Sequence, residues 1–441
     1  VHLDAHKKEK FVSSNDQRMT SHKFKTYVYQ NWGIIICVVS CLIALIRILN
    51  PAELAHYRLF SRAAVALWQQ QDPYYTTFDA GTGWWMYSPS CGLFYYGLFA
   101  FLPFRLGLYL STLSSLGIFT YAIKRTINAF TSIWPFETRL QKNWLWFWLS
   151  FHLMAGILAS KIEILTVGLS LLALTLLVKR KNQFLVAFLL GMLVNWKFQT
   201  LPLVGLWCLI LLFIDRNWRF SLAVIASLAF WFFVPALVVG SQLHQLNINW
   251  FASVNEWMQT EWVRLSSLFH LLLYFSIPVT LKMLTTTGAV IGLGLCALII
   301  NWIIKANQIL PRELVRSLAL ILGLVCSSWF AVALSPMSEN NGYVLVAPLW
   351  LFAFIFYPNI KGKRGFWWIV SVSGFTGSIL LSDTFGKHSR LFFNDLGIKP
   401  YGFTILFVGL LYWFHTSLLS QTPTGSKQRS QLGAQIPNPE A

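Results

Sequence analysis

SLAVIASLAFWFFVPALVV, from Ser221 to Val239, and GAVIGLGLCALIINWII, from Gly288 to Ile304, decide the fold class. Both runs are apolar on every face, and each approaches the roughly 20 residues that a helix needs to cross about 30 Å of hydrocarbon. Strands of a membrane barrel would instead alternate polar and apolar residues in segments of about ten. Working outward, similar runs recur from Trp32 to Leu419, and the sequence predicts an all-α polytopic membrane protein. Composition agrees: 56% of the residues are hydrophobic, 16% aromatic and 11% charged, against about 25% charged in soluble domains.

Crossings are expected at 31–49, 106–123, 143–159, 162–178, 183–196, 199–214, 220–240, 286–304, 315–334, 342–357, 366–382 and 401–419. With these twelve and a cytoplasmic N-terminus, 23 of the 34 Lys and Arg residues fall on the inner side, as the positive-inside rule requires. The net charge of +18 is therefore a topology signal, and no nucleic-acid partner is expected. The basic segment 1–30 precedes a first span that reads as an uncleaved anchor. Residues 31–420 form one transmembrane domain with an outer loop at 50–105, and 421–441 read as a disordered cytoplasmic tail. The apolar segments Cys91–Phe104 and His270–Met283 read as interfacial or re-entrant helices, the second interrupted by Pro278. Six cysteines lie mostly within apolar runs without ligand spacing, so neither a disulfide framework nor a zinc site is indicated.

This topology collects nine of the 16 acids on the outer face: Glu53, Asp72, Asp79, Glu163, Glu256, Glu261, Glu339, Asp383 and Asp395. The loop Pro51–Ser88 is a polar stretch of about forty residues that holds three of these carboxylates and many aromatics. Glu53, just after the first span, is a candidate general base, because a carboxylate partly buried beside hydrocarbon has a raised pKa. Asp72-Pro-Tyr-Tyr75 reads as a turn with tyrosines at headgroup depth. Tyr87-Ser-Pro89 reads as a helix start, Pro being well tolerated there. Lys197, between two apolar runs, calls for a partner, a phosphate or the lipid headgroups. Ser335-Pro-Met-Ser-Glu-Asn-Asn-Gly-Tyr343 is a polar turn of the kind that faces a cavity. Arg264 adds positive charge on the same face. No Walker loop, dinucleotide fingerprint or HExxH motif occurs, which speaks against an ATP-driven pump or a soluble-nucleotide enzyme.

The order Glu-Leu-Ala-His-Tyr57, Asp72-Pro-Tyr, then Tyr87-Ser-Pro before a Leu/Phe run ending in Leu-Pro, resembles the opening of glycosyltransferase family 87. Lys197 followed by Pro202, and Ser335-Pro-Met-Ser before Val344-Leu-Val-Ala-Pro348, match later landmarks of that family, so the resemblance covers about residues 30–350. It implies a GT-C fold of about twelve transmembrane helices whose first outer loop carries membrane-parallel helices. It also implies a polyprenyl-phosphate sugar as donor, mannose foremost, a lipid or glycan acceptor, and inversion at the anomeric carbon without nucleotide or metal. By resemblance Glu53 and Asp72 are catalytic, and Tyr57, Tyr74, Asp79, Tyr87, Lys197, Arg264, Glu339, Asn340 and Asn341 bind substrate. The implied location is the plasma or inner membrane, with both termini cytoplasmic and the site on the outer, periplasmic side. The sequence departs from the family pattern in three places. Glu53 stands where Asp is usual, Asn340 and Asn341 replace a His pair, and Ser160-Lys-Ile-Glu163 replaces a Gly-Gln-hydrophobic-Asn turn. A transporter or lipid flippase, and an inactive envelope-assembly scaffold, are the competing classes.

Overall fold

A computed structural model of the chain describes residues 26–48, 55–74, 87–131, 139–159, 162–261, 268–334, 344–360, 362–379 and 398–419. Among these the only regular elements are helices. In chain order, α1 is Thr26–Arg47, α2 Ala55–Trp68, α3 Cys91–Ala100, α4 Phe104–Phe130, α5 Arg139–Leu158, α6 Glu163–Val178 and α7 Gln183–Trp196. There follow α8 Leu201–Asp215, α9 Trp218–Phe233, α10 Leu243–Glu261, α11 Leu281–Ile309, α12 Arg312–Ala333, α13 Ala347–Phe356, α14 Lys363–Gly374 and α15 Lys399–Leu419.

A helix stands at every one of the twelve expected crossings. Six helical segments among the described residues are long and apolar enough to cross a membrane, the longest running from Trp218 to Glu256. The exposed faces show which solvent they meet. On α1, Val38, Leu42 and Ile46 recur at a four-residue spacing and all lie open, while Cys37, Ala44 and Ile48 are buried. On α11, Val290 is 63% and Leu293 70% exposed. Apolar faces this extensive are rare on soluble monomers, and hydrocarbon is the medium that suits them. The chain is an all-α membrane protein.

At the centre lies α12, buried along nearly its whole length, with α8, α11, α13 and α15 packed around it. Two pairs of helices come very close. At Gly168 of α6, an added Cβ would stand 3.0 Å from the backbone of Phe119 on α4, and at Gly191 of α7 it would stand 2.2 Å from the Ser227 hydroxyl of α9. With no water to squeeze out between helices in a bilayer, such close approach through small residues supplies the van der Waals contact that holds them.

The long polar stretches contain helices that polarity alone conceals. Ala55–Trp68 forms α2, which packs on α3, and the stretch after Val239 forms α10. Pro278 interrupts its segment: a short helix at His270–Tyr274 ends before it, and α11 starts at Leu281.

Candidate functional site

Helices α6 and α7 pack against each other as consecutive elements of opposite direction. The first residue of α6, Glu163, thus comes beside the residue that ends α7, Lys197. Lys197 leaves the helix with an extended backbone (φ −141°, ψ 94°) before a single 3-10 turn, Phe198–Thr200. Its Nζ donates to Glu163 Oε1 at 2.7 Å. The side chains are 14% and 2% exposed, so the pair is withdrawn from water. Each charge also sits at the helix end that favours it, the carboxylate at an N-terminus and the ammonium at a C-terminus.

Tyr87 lies over this pair, its ring centroid 5.2 Å from Lys197 Nζ. Burial pushes the Tyr87 phenol well above its ordinary pKa, and the Glu163 charge adds to the shift. The residues around it start α3 as the sequence indicates. The helix begins at Pro89, and the Ser88 hydroxyl accepts the Cys91 amide at 3.1 Å. Neighbouring Ser90 accepts a hydrogen bond from the Trp196 indole at 3.0 Å, which ties the start of α3 to the end of α7. An aromatic wall of Phe60, Tyr95 and Tyr96 backs the site, with Phe60 and Tyr87 centroids 5.4 Å apart and Tyr95 and Trp196 5.7 Å apart.

Asp72 continues the chain of contacts. Its Oδ1 accepts the Tyr74 amide at 2.8 Å, the expected turn across Pro73, and its Oδ2 accepts from Asn249 of α10. Tyr74 is buried and donates its hydroxyl to the Tyr87 carbonyl at 2.8 Å. Asp72, Tyr74, Tyr87 and Lys197, far apart in sequence, therefore form one connected array. Tyr57 takes another position, buried against Phe104 at 5.3 Å between centroids and beside Gly107. Burial raises its phenol pKa, with the Ser111 hydroxyl opposing the shift. Glu53, Asp79, Arg264, Glu339, Asn340 and Asn341 lie outside the described residues.

Two members of the array escape sequence reasoning as site residues. Glu163 is the partner that Lys197 has in the structure, where a phosphate or the lipid headgroups seemed the candidates; its place directly before an apolar run was the available signal. Asn249 could be found only once the polar residues of 243–261 were read at helical spacing. Between α9 and α10 there is also a cavity of about 430 Å³, apolar where Phe232, Phe233 and Phe251 line it and polar at His244 and Asn247. Among the described residues no three His, Cys, Asp or Glu side chains converge as metal ligands would.

No known family model matches the chain, and no curated protein matches it either. Its own residues and their geometry are therefore the basis for a function.

Proposed function

We propose that the chain is an inverting glycosyltransferase of GT-C architecture, with twelve crossings, that moves a hexose from a polyprenyl-phosphate sugar to a lipid or glycan acceptor. Mannose is the foremost candidate. The observation that carries this reading is the Lys197–Glu163 pair beneath Tyr87, at the end of the bundle where the first loop folds back through Asp72 and Tyr74. An ammonium has three N–H donors, and Glu163 takes one. The others are available to the phosphate of a donor whose hydrocarbon lies in the bilayer. The apolar cavity between α9 and α10, next to the Asp72–Asn249 contact, suits the first units of such a chain.

In the reaction, the acceptor hydroxyl oxygen attacks the anomeric carbon from the side opposite the phosphate. The carbon–oxygen bond to phosphate breaks, its electron pair departs with the polyprenyl phosphate, and Glu53 takes the hydroxyl proton. Lys197 offsets the charge that grows on the leaving phosphate. Asp72, with its oxygens engaged by Tyr74 and Asn249, acts by holding the loop in place. The donor carries its own leaving group, so neither a nucleotide nor a metal is needed. The site lies on the outer face of the inner membrane, with both termini in the cytoplasm.

The test is to incubate purified protein with radiolabelled polyprenyl-phosphate-mannose and a lipid extract of the source organism. Labelled glycolipid is expected with the wild type, and about 10²–10⁴-fold less with Glu53→Gln. Equal labelling by both removes Glu53 from the mechanism. Cysteines placed at positions 80 and 338 are expected to react from outside the cell; labelling from inside overturns the topology.

A transporter or flippase is the second reading, favoured by one observation: a buried Lys–Glu pair within a helical bundle is a common element of substrate pathways. Accumulation of substrate in proteoliposomes without any product supports it and sinks the transferase reading.

A further inference from the structure

The two helices that hold Glu163 and Lys197 at one end carry a second polar structure at the other. Here the turn between α6 and α7 meets the turn between α8 and α9, and together they border an open, shallow cavity of about 370 Å³. Its lining includes Arg180, Arg216 and Arg219 with a single carboxylate, Asp215. That carboxylate is already engaged. Its Oδ2 accepts from Nε of the fully buried Arg316 at 2.5 Å, and its Oδ1 lies 3.5 Å from Arg180 Nη2. Arg180 is in turn paired with Glu313. Neither Arg216 nor Arg219, both exposed, has a carboxylate partner among the described residues, so the cavity keeps two guanidinium groups without a counter-charge from these residues.

The walls are built rather than loose. Asn217 accepts the Phe220 amide at 3.2 Å, capping α9, and donates to Gln183 Oε1 at 2.8 Å, which joins the two turns. Three residues of these turns, Arg180, Asn182 and Arg216, hold φ between 48° and 53°. Arg216 is the left-handed C-cap of α8, its amide donating to the Leu211 and Leu212 carbonyls. Trp218 is more than half exposed, with the Arg219 guanidinium 5.8 Å from its ring. Tryptophan with its edge open at a helix end marks the depth of the lipid headgroups. The N-terminus of α9 adds its partial positive charge.

We propose that this cavity is a second binding site, for a phosphoryl anion, at the membrane face opposite the Lys197 site. Guanidinium groups match phosphate oxygens in pairs, and basic pockets between transmembrane helices bind anionic headgroups. The phosphoryl group comes either from a lipid headgroup or from a free phosphate compound. The proposal is independent of the transferase reading, because it concerns other residues and its readout is binding.

The experiment titrates the purified full-length protein with dihexanoyl-phosphatidylglycerol, dihexanoyl-phosphatidylcholine and inorganic pyrophosphate, following tryptophan fluorescence and heat. Saturable binding of the anionic lipid alone identifies a headgroup site. Binding of pyrophosphate in competition with that lipid, or by itself, identifies a site open to free phosphates. In each case Arg216→Asn combined with Arg219→Gln is expected to weaken binding about tenfold or more. Asparagine is chosen because it enters the left-handed region readily. Arg364→Gln, which removes a positive charge outside the cavity lining, is expected to leave affinity unchanged. The proposal is overturned if neither anion binds saturably, if phosphatidylcholine binds as well as phosphatidylglycerol, if the double variant binds like the wild type, or if Arg364→Gln weakens binding equally.

Discussion

Lys197 and Glu163, 34 positions apart, form an ion pair 2.7 Å long where the end of one helix meets the start of another. The pair lies where water is scarce, the side chains being 14% and 2% exposed. Breaking the pair from one side removes the opposite charge beside the other, whereas neutralising both removes the charges and leaves side chains of similar shape. Removing one partner of a buried pair costs about 3–5 kcal/mol. Lys197→Met is therefore expected to lower the melting temperature in detergent sharply, and adding Glu163→Gln to recover most of the loss. If the single variant melts like the wild type, the pair is not buried in the working protein. In the transfer assay the double variant, stable but without its ammonium, is expected to remain inactive.

The contact of Asp72 with Asn249 joins the first loop to a helix more than 170 residues later in the chain. Asn249→Leu removes one hydrogen bond to a carboxylate, at a cost of about 1.5–3 kcal/mol. Faster amide exchange over 69–74 and in α10 is expected, with α12 unchanged. Uniformly faster exchange, or none in those two segments, contradicts the connection.

Gly191 and Gly205 make a matched pair of tests for helix contact. Gly191→Ala forces a methyl group to within 2.2 Å of Ser227 Oγ, while a Cβ at Gly205 meets nothing within 4 Å. Overpacking at the first should destabilise by about 1–3 kcal/mol. The second should be neutral or slightly stabilising, since alanine favours helix over glycine. Thermal melts of the two variants check both outcomes, and equal melting temperatures refute the close packing of α7 on α9.

Tyr87 supplies a pH prediction. Its phenol is held above its ordinary pKa chiefly by burial, so the folded protein keeps that proton while the unfolded chain loses it above about pH 10. The unfolded state then binds fewer protons, and stability falls as pH rises beyond that value. Tyr87→Phe is expected to flatten this part of the stability curve and to leave the phenolate absorbance of the folded protein unchanged up to about pH 11. A wild-type phenolate signal near pH 10 that the variant lacks would show that Tyr87 is in contact with water.

The membrane character of the chain was legible from Ser221–Val239 and Gly288–Ile304, because a run that is apolar on all faces has few places to go. The turn at Asp72 and the helix start at Pro89 were legible for a local reason, since Asp before Pro and Ser before Pro each fix their own backbone. Other features depended on distant neighbours. Helices in the loop Pro51–Ser88 were expected from the resemblance alone; composition did not mark the bounds of α2, because its partner, α3, lies well beyond it in the chain. Glu163 looked like a turn acid until α6 and α7 were set side by side, and nothing in 243–261 announces that Asn249 meets Asp72. The apolar residues were no better a guide to burial. Val290 and Leu293 are exposed while Leu318 and Leu320 are fully buried, since a bilayer rewards both positions alike.

The lengths of α6 and α7 bear on where a substrate would be met. Their 16 and 14 residues amount to about 24 Å and 21 Å at 1.5 Å per residue, short of the roughly 30 Å of hydrocarbon in an ordinary bilayer. With the arginine-lined end set among headgroups, the opposite end stops several ångströms beneath the other leaflet's surface. On the transferase reading proposed above, the bilayer there would dip to meet it, and the donor's phosphate would descend to Lys197 without its hydrocarbon chain being drawn out of the membrane.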